Sequence, residues 1–599
     1  MTMSNKAALL KSSIDTAMSL HRQGDYLKAA KIYQKVLKQD PQNLLALNLM
    51  AEASLMLGKT SQALQLAERA LKQKPDMPST CLLRANALAR MGQKQAAIEG
   101  YNNVLALQPD NTSAMLSLSV VLREAGENSE AIVTLEKLID LKPDFAQAHF
   151  NLANAFKDEG LLDDALLSYE AALALSPGMY DAWTNKAATF LKLDRPVEAL
   201  ECAEHALKIA PSFSAHLNAG NACRNLAQIS QATTHYQSAL ELAPKDANIH
   251  AQIGLLLADQ NKQTEAIEEL ETALTLSRGD KSIEANLALS LLATGDLKKG
   301  WHHYEARFLG TEMEDAYASS SIPRWKGDPL AGRNLLIWTE QGIGDTLRFA
   351  TCLPEVMTTA QEQGSTVYIK TEPRLIPLFR HTFPQAHVSS KHTTEDEEQV
   401  ALQLPIGSLP RLLRPTLASF ENKTAYLIPT LEPLSAMKAF VSSLPGSCRV
   451  GFAWRSGNMA SHRQHHYGSL LDWQALFEQP TVSLVNLQYG VTQQERETLT
   501  TALKTPLHEP DGIDLKDDME AIAALTAAVD IVISPRTAVA VMAGALGKPT
   551  FTYGPASDPM CLGTGQMPWF TSMHYETRDA QTPMSETVNK IMRAAKDYF

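Results

Sequence analysis

Two patterns of apolar and polar positions divide the chain, one giving way to the other past its midpoint. Over the first half, small and turn-forming residues recur in steps of 34: Pro41, Pro75, Pro109, Pro143, Pro177 and Pro211 keep the step. So do Gly24, Gly58, Gly92, Gly126 and Gly160, and so do Ala29, Ala63, Ala97, Ala131, Ala165 and Ala199. After Pro211 the phase slips once, to Pro244, and Ala232, Ala266 and Gly295 carry it on. The stretch RQGDYLKAAKIYQKVLKQDP shows what one unit predicts. Gly24 ends a first helix, Ala29 lets a second helix approach it, Tyr33 fills the space between them and Pro41 stops the second. One such pair cannot bury its apolar face, so successive pairs must stack into a superhelix. About eight units and a final one, GDLKKGWHHYEARF, are expected over residues 1–308. In that last unit Gly300 takes the place of the small alanine, and Trp301 supplies a bulky anchor for whatever follows.

From about Asn334 short β-branched and aromatic runs alternate with helical segments. NLLIWT, STVYIK, HVSS and VALQL form one block, and RVGFAW, VSLVNLQ, DIVIS and PTFTYG a second. Strand–helix alternation predicts parallel sheets covered on both faces. The chain therefore reads as an all-α repeat superhelix followed by an α/β region of two lobes. A linker is expected at 309–332, a first lobe at 333–435 and a second at 445–599. The Pro-containing segment from about Thr430 to Ser447 would join the lobes, and the final helix, SETVNKIMRAAKDYF, would cross back onto the first.

A period of 34 with helix-turn-helix chemistry resembles the tetratricopeptide repeat. Within the array a column of amides, Asn151, Asn185, Asn218, Gln252 and Asn286, falls at one place in the first helix of successive units; earlier units carry Leu49, Leu83 and Ser117 there. Asparagine is a poor helix former. Its recurrence means either consensus bonds between repeats or a groove that holds peptide backbone, since each amide both donates and accepts. The column is similar to the asparagine ladder inside the superhelix of O-GlcNAc transferase, where such residues hold acceptor polypeptides.

In the second half EQGIGDTLRFATCLP, VGFAWRSGN, SLVNLQYG and VISPRTAVAVMAGALGKPTFTYGP follow one another in the order and spacing of the heptosyltransferase-like family. The whole chain resembles bacterial proteins that fuse tetratricopeptide repeats to that domain, flagellin glycosyltransferases among them. The resemblance implies a GT-B architecture, two Rossmann-like lobes facing a cleft, and an inverting transfer from a nucleotide sugar; with no D-x-D motif in a metal-binding context, that transfer is expected to be metal-independent. It places Asp345 at the cleft as the catalytic base, with Gly342 and Gly344 letting the backbone approach the acceptor. The other reading of Asp345 is a helix cap. Arg455, Ser456, Gly457 and Asn458 correspond to a cleft-facing loop of the family. Together with Gln488, Ser534, Arg536 and Thr537 they are the donor-side candidates, the last three at a helix start suited to phosphate.

This sequence departs from the family's DTxxxH at two places, with Arg536 for the aspartate and Val541 for the histidine. Arginine at a helix start opposes the dipole unless an anion sits there. The exchange suits a CMP-activated nonulosonic acid such as pseudaminic or legionaminic acid, which carries its own carboxylate, over an ADP-, GDP- or UDP-sugar. A surface arginine without ligand is the other reading. His462, Arg463, His465 and His466 follow the loop as substrate contacts, solvated residues or, least in keeping with their spacing, metal ligands.

Composition narrows the picture without changing it. Of 599 residues 45% are hydrophobic and 20% charged, and the net charge of −12 gives no general affinity for nucleic acid. No run of about 18 uncharged apolar residues predicts a membrane span, and the opening residues lack the pattern of a secretory signal. The six cysteines are scattered and form no C-x-x-C pair; buried thiols in a reducing, cytoplasmic setting are expected. The resemblance implies O-glycosylation of a polypeptide, flagellin above all, captured by the repeats, and a homodimer is among the expectations. A repeat scaffold with vestigial lobes and a transferase acting on lipopolysaccharide or another glycan are the alternatives.

Overall fold

The computed structural model describes residues 3–308, 321–393, 397–421, 425–457, 467–502, 506–579 and 582–599. It has a tetratricopeptide-repeat superhelix followed by an α/β region, and it divides into two compact units, residues up to Ala219 and from Gly220 onward. The division falls inside the helix Phe213–Asn225, within the repeat array and not at residue 308, where the helical period ends.

In the first unit helices alternate as Tyr26–Gln39, Leu44–Met56, Thr60–Gln73 and onward to Pro196–Ile209. The periodic alanines sit where helices touch: Ala29, Ala97, Ala131, Ala165 and Ala199 are fully buried. Tyr33, Tyr101 and Tyr169 fill the gaps between helices, also buried. Two of these tyrosines anchor on the preceding helix, Tyr101 donating to Asn86 Oδ1 at 2.7 Å and Tyr169 to Asn154 Oδ1 at 2.6 Å. The turn glycines adopt the left-handed conformation that their lack of a side chain allows, from φ 81° at Gly24 to φ 86° at Gly160.

The second unit opens with the remaining repeats, Ile229–Leu242 to Leu297–His303, and continues into two parallel sheets. The first sheet holds β1 (Leu335–Trp338), β2 (Val367–Thr371), β3 (His387–Ser390) and β4 (Leu402–Pro405) in the order β3-β2-β1-β4. In register, Leu335 pairs with Val367 on one side and Leu402 on the other. The second sheet comprises β5 (Cys448–Phe452), β6 (Val482–Asn486), β7 (Leu507–His508), β8 (Ile531–Pro535), β9 (Thr550–Gly554) and β10 (Met573–Thr577), ordered β10-β9-β8-β5-β6-β7. Counted from β5 this is the 3-2-1-4-5-6 order of dinucleotide-binding folds. All eight expected strands are present; β7 and β10 are additions. Strands β1, β2, β4, β8 and β9 are buried along their whole length, so on both faces, while the edge strands β3, β7 and β10 are partly exposed.

One expectation about organisation, that of the C-terminal helix, is corrected, and two others gain detail. Of the linker 309–332, residues 309–320 lie outside the described set. The rest is no free connector: Trp325 is buried and its backbone NH donates to Gln403 O at 2.9 Å, beside β4. The lobe junction near Thr430–Ser447 is the helix Leu431–Ser442, whose Val441 packs with Leu525 and Val529 of the second lobe because its apolar face needs cover. The C-terminal helix Met584–Ala594 stays on the second lobe, where Val588 and Ile591 share a core with Phe452, Trp473 and Tyr553.

Candidate active site

The residues singled out in four separate sequence segments arrive at corresponding ends of the two sheets. In a doubly wound sheet, ligands bind beyond the carboxyl ends of the strands where the winding reverses. For the first sheet that place is between β1 and β4, and Gly342 to Asp345 follow β1 directly. For the second it is between β5 and β8, followed by Arg455 to Gly457 and by Arg536 and Thr537, with Ser534 at the end of β8 itself.

The two ends meet. Gly342 caps the helix Ile343–Phe349 with φ −62° and ψ 165°, leaving Asp345 in its first turn. Thr537 occupies the same place before the helix Ala538–Ala545. A Cβ on Gly344 would lie 3.4 Å from Ala538 Cα, so two helix N-termini, one from each lobe, touch at their first turns. Gly344 is needed for that approach, whereas Gly342 faces open space. Two positive dipole ends and the Asp345 carboxylate thus share one junction. Asp345 is not the helix cap: it pairs with Arg348, which is buried while Asp345 remains 41% exposed. The carboxylate is therefore held from behind and open in front.

Charges near the junction are largely spoken for. Arg536 Nε lies 2.5 Å from Asp558 Oδ2, and its Nη1 donates to Oδ1 at 3.2 Å. Asp558 is fully buried and also accepts from Met560 N at 2.8 Å and from Tyr575 Oη at 3.4 Å. About a third of the Arg536 side chain is exposed. Burial disfavours its charge, but Asp558, Tyr575 and Asp345 outweigh that and hold the guanidinium charged. Arg536 is thus not an idle surface residue; it answers a buried aspartate 22 residues on. Val541, at the family's histidine position, is a core residue.

Arg455 is likewise engaged, Nε and Nη2 donating to Glu495 at 2.6 and 2.8 Å and Nη2 to Gly490 O at 2.7 Å. Glu495 also accepts from Trp454 Nε1 and Thr492 N, each at 2.7 Å. Burial pushes that carboxyl up, yet the bonds from Arg455, Thr492 and Trp454 prevail and hold it at about 2. Gln488 is buried and braces the same loop, its Oε1 accepting from Trp454 N at 3.2 Å and Arg455 N at 3.1 Å. A side chain on Gly457 would strike Tyr489 Oη. Ser534 Oγ lies 3.1 Å from Thr537 Oγ1. Asn458, His462, Arg463, His465 and His466 lie outside the described residues.

Beside this loop a pocket of about 620 Å³ is lined by Asn486, Gln488, Tyr489, Glu509, Leu515 and Lys516 among others. Its size suits a nucleotide. Arg374 of the first lobe donates to Lys516 O and Asp517 Oδ1 at 3.0 Å each, Lys516 being one of the lining residues.

The amide column divides. Asn185 Nδ2 donates to Asn154 Oδ1 at 2.9 Å and Asn218 Nδ2 to Thr184 O at 3.0 Å, so both tie one repeat to the previous one. Asn218 is nearly buried. Asn151 accepts from Gln147 and Gln252 donates to Asn248, both within a helix turn, while Asn286 is half-buried. Residues 31 or 34 positions apart form these staples, which the repeat spacing alone left open.

Three repeat models match the chain: a tetratricopeptide repeat over residues 20–79, the N-terminal TPR repeats region of Psidin over 53–157, and a second tetratricopeptide repeat over 150–212 and 217–281. Over 425 residues the chain is 30% identical to Protein FlbA of Caulobacter vibrioides, which covers 68% of this chain and 71% of FlbA. The chain belongs to the FlbA family. Among solved structures, this FlbA relative resembles a thermophilic TPR protein of Thermus thermophilus, 22% identical over 30% of this chain and 99% of that one with a TM-score of 0.26. It also resembles a tetratricopeptide repeat protein of Parabacteroides merdae, 15% identical over 47% and 98% of the chains with a TM-score of 0.33. Among its described residues no helix is long and apolar enough to cross a membrane.

Proposed function

We propose that this FlbA-family protein is a protein O-glycosyltransferase, moving a sugar from a nucleotide donor to Ser or Thr of a polypeptide held by its repeats. The observation that carries the reading is the junction of two helix N-termini around Asp345, at the carboxyl edges of both sheets. The nucleotide base and ribose would occupy the pocket beside Gln488, with the phosphates reaching along the loop after β5 toward Thr537. Asp345 takes the proton from the acceptor hydroxyl as its oxygen attacks the anomeric carbon and the nucleotide leaves with the bonding pair. Arg348 fixes the rotamer of that carboxylate. A CMP-nonulosonate donor and a flagellin acceptor are the preferred substrates. Within the second compact unit the half-exposed amides Gln252 and Asn286 are the ones left for acceptor backbone.

One observation favours the reading of a scaffold with vestigial lobes. Arg455 and Arg536, two of the donor-side candidates, are each matched by a carboxylate of the chain itself. The deciding experiment incubates the full-length protein with flagellin from the same organism and, separately, CMP-pseudaminate, CMP-legionaminate, and ADP-, GDP- and UDP-sugars. The intact mass of flagellin is followed. Transfer from one donor is expected, with Asp345→Asn slower by about 10²–10⁴, the usual worth of a general base. No mass shift with any donor would leave the scaffold reading, and undiminished transfer by Asp345→Asn would remove the base.

A further inference from the structure

The last repeat enters the first lobe with a pair of charges. Arg307, which ends that repeat, donates through Nε and Nη2 to Glu340 Oε1 at 3.0 and 2.8 Å, and through Nη2 to Ser408 Oγ at 2.9 Å. Only 6% of the Arg307 side chain and 2% of Glu340 are exposed. The same Oε1 accepts from Gly407 N at 3.1 Å, while Glu340 Oε2 is buried without a partner. Gly407 is shaped around the pair: a Cβ there would stand 2.5 Å from Glu340 Oε1 and 2.9 Å from Arg307 Nε.

Such a pair contributes little net stability, because removing two ions from water costs about as much as their attraction returns. Its place in the chain gives it another use. Glu340 and Gln341 are the residues immediately before Gly342, the cap of the Asp345 helix. Gln341 is gripped as well, its amide 3.0–3.1 Å from the hydroxyl of Tyr304, another residue of the last repeat. Thr346 closes the turn, its NH donating to Gly342 O at 2.9 Å and its hydroxyl to Gln341 O at 3.3 Å. The path from the repeat to the reacting carboxylate is therefore Arg307, Glu340, Gln341, Gly342, Asp345.

We propose that Arg307 and Glu340 are positioning residues for the transfer reaction, through which the last repeat sets the geometry of the Asp345 turn. The inference rests on the transferase reading. It means that the lobes are not a self-sufficient enzyme with a recruiting arm; the repeat that ends the arm completes the site. A displacement of about 1 Å at a reacting group lowers rates by about 100-fold without touching substrate binding.

Removing Arg307 alone strands Glu340 in the interior, and removing Glu340 alone leaves Arg307 with its longer Nη1 contact to Glu305 Oε1 at 3.3 Å, so the test uses the full-length variant R307M/E340Q, neutral at both positions. Two readouts are taken. Hydrogen exchange of the 340–346 amides is expected to quicken by at least about tenfold, with 450–454 and 531–535 unchanged. Transfer from CMP-pseudaminate to flagellin is expected to lose about 100-fold in kcat with KM held, and Arg307→Lys, which keeps the charge, to lie between. Wild-type exchange at the turn overturns the proposal whatever happens to activity, as does quickened exchange with wild-type kcat. If even the unaltered protein transfers no sugar, the transferase reading fails and exchange alone decides: a loosened turn keeps the pair as its holder, an unmoved one removes it.

Discussion

At the residue scale two arginines of the second lobe, Arg455 and Arg536, are each paired with a carboxylate of the chain itself. Glu495 lies 40 residues beyond Arg455, and Asp558 lies 22 beyond Arg536. No local spacing announces such partners, which is why both arginines read as donor contacts in the sequence. One trace was legible: Thr492 and Glu495 form the T-x-x-E capping box that the structure shows at the helix Gln493–Glu497. That box holds Glu495 ready for Arg455, and its depressed pKa carries a pH signature. An acid whose folded value of about 2 lies below the usual 4.3 stabilises the folded state fully above pH 4.3, and progressively less as the pH falls toward 2. Wild type should therefore exceed Glu495→Gln in urea midpoint at pH 6, and the gap should narrow steadily below pH 4.3. A gap that stays constant down to pH 3 would mean that the carboxylate is not held by Arg455 in solution.

At the scale of the element, repeat periodicity fixed helices, turns and even backbone conformation, including where the expected residue is missing. Five turns use glycine at φ 72–86°, yet the next three put Asp194, Ala227 and Asn261 at φ 57°, 56° and 63° before Gly295 resumes at 83°. The stacking of neighbours imposes the left-handed turn, and the side chain bears the strain. Aspartate and asparagine tolerate it through local hydrogen bonding; alanine has no such help. Ala227→Gly should raise stability by roughly 0.5–1 kcal/mol, the relief of strain less the added freedom of the unfolded chain. Gly295→Ala should do the reverse and cost more, since its Cβ would also meet Leu562 O at 3.1 Å. Denaturant midpoints with unchanged m-values decide it, and equal midpoints for Ala227→Gly and wild type would show the turn to be unstrained. Strands obeyed the same rule of legibility. Of the eight found in the sequence all but β3, HVSS, are mainly apolar or β-branched runs, whereas β10, MHYET, is half polar and β7 is only two residues long. Neither has a pattern long enough to read.

At the scale of the molecule, the end of a sequence period is not the end of a folding unit. The helical pattern stops at 308, but what it buries is decided by contacts that periodicity does not record. Leu292, Leu297, Trp301 and Tyr304 of the last repeat share one core with Leu335, Ile337 and Phe349 of the first lobe and Trp569 of the second. Trp301 also donates to Arg414 O at 3.1 Å. Gly344, read as a substrate-side glycine, turns out to let the lobes touch, a role that no single-lobe motif could have revealed. Four large side chains at about 1.5–3 kcal/mol each amount to roughly 6–12 kcal/mol, as much as a whole domain usually has in hand. A fragment beginning at Phe213, which keeps the second compact unit and its last repeats, should melt cooperatively with an intact near-ultraviolet spectrum. One beginning at Ser321, which keeps both lobes and nothing of the repeats, should have neither property and should aggregate as its exposed core finds other partners. Should the shorter fragment fold as well as the longer, the lobes would be an autonomous domain. The last repeat would then be a tether to lobes that fold without it.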